Sequence, residues 1–315
     1  MSTHLYTVKI SGPEVPSSSR LPVSLVRNIS WALEKAAEGA VRLRFEGRSA
    51  AKGQTPKWLE RASAFEFSFE RELPPGTISL VAPTLEESLP ERFTQADLFN
   101  DPLKYETPLS LVSTGLRDAI DGATGSDAFD ESLLTKFLLW DRIFAKGIES
   151  ISIRNGRPDA MPLVLTHDSL NTARSLEKQT PRSQRIRIAG QLDAIRYSDK
   201  AFSVLTGNGQ SIRGIYTADD HAALQLHFGR QVLVIGQAHF KPNGMLRVIE
   251  AEKVQPATEV ELEMFGTLPT SDTALLATSD FSKRQGAKRG VAGLLGSWPG
   301  DETDDQVERA LEEVS

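Results

Sequence analysis

Cysteine is absent from all 315 residues, which removes a disulfide framework, a thiolate metal site and a cysteine nucleophile at once. Histidine is scarce. His4, His167, His221, His227 and His239 are the only five, and the nearest two stand six apart, so no helix face carries a ligand pair at three- or four-residue spacing. Neither zinc nor any other metal is expected. No run of about 18 apolar residues occurs, and the opening MSTHLYTVKI has no basic flank and no long apolar core, so neither a span nor a secretory leader is read. The expectation is a cytoplasmic protein with no membrane partner. There is no glycine loop built to cradle a phosphate and no nucleophile paired with a base, so neither a cofactor nor catalysis is expected.

Apolar types make up 39% and charged types 25%, ordinary for a folded chain, and the length suits two compact units. The net charge of −6 excludes a nucleic-acid surface over the whole chain, though not a local patch. Residues 1–183 carry 22 basic and 24 acidic side chains, residues 184–255 carry 9 and 6, and residues 256–315 carry 5 and 12. Any basic surface is therefore sought in the middle segment.

The first 183 residues read as an α+β domain, a mixed sheet with helices on it. Leu5 to Ile10 alternates as a half-buried strand does, and Pro22 and Ser24 open a helix through Val26, Ile29 and Leu33 that Gly39 is expected to stop. Val41-Leu43-Phe45, Phe65-Phe67-Phe69 and Ile78-Leu80-Ala82 alternate as strands. Two helices are expected between Pro108 and Ile143, the second ended by Gly147, then strands at 148–153 and 163–165 and a helix from Asp168 to Lys178. Asp127, Asp130 and Glu131 follow Gly125-Ser126 and read as helix-capping carboxylates rather than metal ligands. His167-Asp168-Ser169 lacks the glycine-flanked elbow of a serine nucleophile.

Residues 184–256 run strand, strand, strand, helix, strand, strand, with Gly207-Asn208-Gly209 and Pro242-Asn243-Gly244 as hairpin turns and Asp219 or Asp220 as the helix cap. This order resembles the OB-fold, a small five-stranded β-barrel. The resemblance implies a surface on the second and third strands where bases stack on aromatic rings and basic side chains follow phosphates. Its residues here would be Phe202, Arg213 and Tyr216, with Arg185, Arg187, Arg196, Tyr197 and Lys200 around them. The alternative is a docking or structural barrel whose interior Phe202 and Tyr216 fill.

Residues 257–290 read as a linker, and residues 291–315 as a partner-binding segment with a helical tail. Val291, Leu294, Leu295 and Trp298 cluster, Pro299-Gly300 turns, Thr303 with Gln306 fits a capping box, and Val307, Ala310, Leu311 and Val314 share a helix face. Either a partner or the chain's own body covers that stripe. The run GLLGSWPGDETDDQVERALEEV, Gly293 to Val314, resembles the C-terminal segment of antitoxins that neutralise PIN-domain ribonuclease toxins. The resemblance implies a PIN-domain ribonuclease as protein partner. Lys283, Arg284, Lys288 and Arg289 would be inserted among the carboxylates of its metal site, and Leu294, Leu295 and Trp298 would be the apolar anchors. Antitoxins of this kind are short chains with a small DNA-binding domain; this chain carries a large body instead, so operator DNA is a weaker expectation than the protein partner. The second expectation is a barrel that binds single-stranded nucleic acid.

Overall fold

The computed structural model describes residues 4–15, 20–69, 73–93, 102–156, 161–196, 200–216 and 221–268. Strand β1 (His4–Ser11) is followed by α1 (Val23–Glu46), α2 (Lys57–Ala62), β2 (Glu66–Phe67), β3 (Thr77–Ala82) and α3 (Leu85–Ser88). Then come α4 (Pro108–Ile120), α5 (Glu131–Phe137), α6 (Asp141–Phe144), β4 (Ser150–Asn155), β5 (Leu163–Thr166) and α7 (His167–Gln179). The second half holds β6 (Gln184–Arg196), β7 (Ala201–Leu205), β8 (Ser211–Tyr216), α8 (His221–Leu226), β9 (Gln231–Phe240), β10 (Leu246–Pro256) and α9 (Glu259–Phe265).

The first sheet has the order β2-β3-β1-β4-β5. Each of its pairs is antiparallel, where a mixed sheet was expected. Strand direction had no marker in the sequence, because long helical connections allow a return in either sense. Tyr6, Val8 and Ile10 of the central strand face a core completed by α1, α4, α5 and α7, with Trp140 and Phe137 fully buried.

Helix α1 corrects two expectations. It runs through Gly39 and takes in Val41, Leu43 and Phe45, whose alternation had suggested a strand. All three are buried, Val41 and Phe45 against Leu59, Leu85 and Leu89, and Arg42 is buried with them. This turn is therefore covered on nearly every side, and its helical period is hidden behind the alternation with Arg42 and Arg44. At Gly39 a side chain would approach Lys136 and Leu133 within 2.9 Å, so the glycine lets α5 lie close instead of ending α1. The helix stops at Gly47, whose φ of 76° closes a left-handed cap with its N–H on the Leu43 carbonyl. Its start is capped by no side chain: Ser24, the expected cap, already lies within the first turn, and Pro22 stands just before it. Of the expected Phe65–Phe69 strand, Glu66 and Phe67 form the ladder with β3, Ser68 adds one backbone bond to the Ser79 carbonyl, and Phe69 lies exposed. The long helix expected up to Gly147 is broken into α5, a 3-10 turn at Leu138–Trp140 and α6. Thr166, rather than Asp168, caps α7.

Strands β6 to β10 close a five-stranded barrel, β10-β8-β7-β6-β9, in the element order anticipated. Strands β8 and β10 pair in parallel and the other neighbours antiparallel. The interior is filled by Ile188, Leu192, Phe202, Val204, Ile212, Tyr216, Val232, Val234 and Ile249. Both hairpin turns form where glycine supplies positive φ, Gly209 at 80° and Gly244 at 79°. Asp219 and Asp220, the expected caps of α8, lie outside the described residues. The segment read as a linker from 257 begins with a helix, α9, capped by Thr258 and packed on β6 and β9. Ala189 and Leu233, neighbours across that pair, are buried on this outer side although the interior cluster excludes them. All described residues fall in one compact unit that runs from Met1 to Ala274.

Candidate functional site

Alternation along β7 and β8 decides what the barrel offers a ligand. Phe202, Val204, Ile212 and Tyr216 point inward, and Phe202 and Tyr216 retain 3% and 7% of their exposure. The Phe202 ring lies across Gly214, its cross-strand partner, so closely that a Cβ there would come within 2.1 Å of it. This corrects the stacking platform expected from these two rings. They fill the barrel, because the strand period that puts Arg213 outside puts Phe202, opposite Gly214, inside.

The outward side of the same strands is also covered. Ala201, Ile215 and Val248 form a small buried cluster on the barrel's exterior, and Gly47 at the end of α1 lies against Val248 and Arg213. Arg213 donates from Nη2 to the Phe45 carbonyl at 2.6 Å, satisfying one of the acceptors left open at the C-terminus of α1, where the helix dipole favours a cation. Arg213, expected on phosphates, is thus engaged by the chain's own backbone.

Further contacts extend this seam. Arg247 on β10 donates through both terminal nitrogens to the Phe129 and Asp127 carbonyls, and burial holds its pKa below the ordinary arginine value. Lys241 reaches Asp127 at 2.9 Å and the Gly125 carbonyl at 3.1 Å, and the Asn243 N–H meets the Thr124 carbonyl at 3.2 Å. Glu250 pairs with Arg48 and lies 3.6 Å from His239, whose Nδ1 is 3.2 Å from the Ser183 hydroxyl. His239 and Arg48 draw the Glu250 pKa down from 4.5 to about 2, against the opposing effect of burial. The loop that receives Arg247 is itself held by Asp130, which caps α5 through the Leu133 N–H at 2.8 Å and also bonds the backbone N–H and hydroxyl of Ser49. The capping role expected of Asp130 is observed.

The remaining basic candidates are placed differently. Arg185 pairs with Glu252 at 2.8 Å, and Arg187 lies over the Phe265 ring of α9 at 5.8 Å. Arg196 and Lys200 are exposed at the ends of β6 and β7, Lys200 with φ of 50°. Tyr197 lies outside the described residues, as do Lys283, Arg284, Lys288, Arg289, Val291, Leu294, Leu295, Trp298, Val307 and Leu311 of the tail. The structure therefore brings Arg213 and the two rings to one pair of strands, but turns the rings inward and the guanidinium onto α1.

Sequence reasoning missed the seam residues Arg48, Lys241, Arg247 and Glu250, since their partners lie far away along the chain. Among the described residues no group of three or more histidines and carboxylates could hold a metal ion, and no helix is long and apolar enough to cross a membrane. No family model, no curated protein and no solved structure matches this chain.

Proposed function

We propose that this chain is an antitoxin-like protein that binds and inhibits a PIN-domain ribonuclease through its C-terminal segment, with the body described above as its scaffold. The observation that carries the reading is the run Gly293 to Val314, with its Leu294-Leu295-Trp298 cluster, Trp-Pro-Gly-Asp-Glu turn and acidic amphipathic stretch. A cation such as Arg284 or Arg289 inserted beside that apolar anchor would neutralise the carboxylates of a metal-dependent nuclease and close its groove without chemistry of its own.

The second reading is a barrel of the OB class that binds single-stranded nucleic acid. The strand order, with the third and fifth strands parallel, supports that class. The covered face of β7, β8 and β10 weakens the binding role, because the strands and the β9–β10 turn that would meet nucleic acid are docked on the N-terminal layer. A scaffold role for the barrel is favoured.

Co-expression with the product of the neighbouring gene, followed by capture of the complex, tests the first reading. The full chain is expected to retain and silence a ribonuclease, and deletion of residues 283–315 to lose both. Alanine at Leu294, Leu295 and Trp298 together should weaken the complex by about 2 kcal/mol or more. A truncated chain that still captures the ribonuclease refutes the assignment to the tail.

A further inference from the structure

Two cavities of the N-terminal layer share one carboxylate, Glu106. The larger, about 340 Å³, is lined by His4, Tyr6, Tyr105, Glu106, Ser110 and Asn155. The smaller, about 230 Å³, has Leu43, Leu103 and Leu111 on its wall, with Arg44 and a second carboxylate, Asp127, of opposite charge beside them. The larger volume reaches the lower end of the range of small-molecule sites, about 300 Å³ upward.

Its walls are fixed by regular structure. Tyr6 and Asn155 face each other across β1 and β4, and the Tyr6 hydroxyl lies 2.7 Å from Thr107 Oγ1. Thr107 and Ser110 make the reciprocal cap of α4 at 2.8 and 3.1 Å, and the Ser110 hydroxyl donates to the Glu106 carboxylate. The backbone of Glu106 is held as well, its carbonyl accepting from the Leu85 N–H at 2.7 Å.

Charge decides the ligand class. Among the described residues no cation lies within ion-pair distance of Glu106. A helix N-terminus would ordinarily attract an anion, but here a carboxylate already stands before α4 and the cap has taken the Ser110 N–H, so an anionic ligand meets like charge. The Tyr105 ring, exposed at the rim, already faces an ammonium, that of Lys104, 4.7 Å from its centroid.

We propose that these cavities form a binding site for a small primary amine. Its ammonium pairs with Glu106, its polar substituents meet Tyr6 and Asn155, and a short hydrocarbon chain enters the smaller cavity. Nothing in this site depends on the C-terminal segment, so it stands or falls apart from the ribonuclease reading.

Ethanolamine and 2-phenylethylamine are the probes, with ethylene glycol and 2-phenylethanol as their uncharged counterparts, added at millimolar concentration to the full chain. Both amines are expected to raise the melting temperature as their concentration rises, and the alcohols to leave it in place. Glu106→Gln keeps an acceptor for Ser110 and should melt as the parent does without ligand, while binding either amine about tenfold more weakly in calorimetry. Tyr105→Ala alters only an exposed ring, so it tests the site without loading the fold, and it should also weaken binding. Amines without effect, alcohols that match them, or undiminished binding by Glu106→Gln would each overturn the proposal.

Discussion

Glu250 shows how much one side chain at the seam contributes. It lies between Arg48, from the turn after α1, and His239 on the neighbouring strand β9, and its pKa falls from 4.5 to about 2. A carboxylate whose folded pKa is depressed adds stability that is fully present above its unfolded value and is lost as pH falls through the folded one. The window therefore runs from about pH 4.5 down to about pH 2. The contribution is about 2 kcal/mol, the full linkage value being reduced because the group keeps some contact with water. Glu250→Gln should flatten that acid limb in urea titrations repeated across the window. An acid limb of unchanged slope would show that the carboxylate is not linked to folding. Phe202 teaches the complementary lesson, since its composition suited a base platform but its register opposite Gly214 made it core.

At the scale of elements, the seam works by matching the ends of one set with the edges of another. The C-terminus of α1 leaves carbonyls open, and Arg213 on β8 supplies a donor to one of them. The loop before α5 presents the Asp127 and Phe129 carbonyls, and Arg247 on β10 supplies donors to both. Hydrogen bonds to charged groups contribute about 1.5–3 kcal/mol each, and a carbonyl left buried without a partner adds a penalty. Arg247→Ala should thus lower unfolding free energy by about 2–4 kcal/mol in urea, with the barrel strands intact by circular dichroism. A loss below about 0.5 kcal/mol, the usual range of neutral surface changes, would mean that water replaces these bonds.

For the whole molecule, the sheet layer and the barrel belong to one compact unit, and the small cluster Ala201-Ile215-Val248 would face water if they parted. A single cooperative transition is expected. Three of the four tryptophans, Trp31, Trp58 and Trp140, lie on the N-terminal side of the seam, while circular dichroism averages over every element. Melting curves by fluorescence and by circular dichroism should coincide. Two separated midpoints would show that the barrel unfolds independently and that the seam contributes little.

Short-range patterns settled much of this protein in advance: the order of barrel elements, both glycine turns, the cap at Asp130, the absence of thiol chemistry and the distinctive wording of the Gly293–Val314 run are all local in the chain. Glycine's tolerance of positive φ and the period of two along a strand act over a few residues, so they can be read without coordinates. Which side of β7 and β8 meets solvent could not be read that way. That face is covered because Phe45, 168 positions away at the end of α1, has a carbonyl that Arg213 reaches. The Glu106 cavities were hidden for the same reason, the walls of the larger being drawn from β1, β4 and α4 and those of the smaller from α1, α4 and the loop before α5. Packing between distant segments decides such features, since hydrogen-bond acceptors must be satisfied wherever the fold buries them.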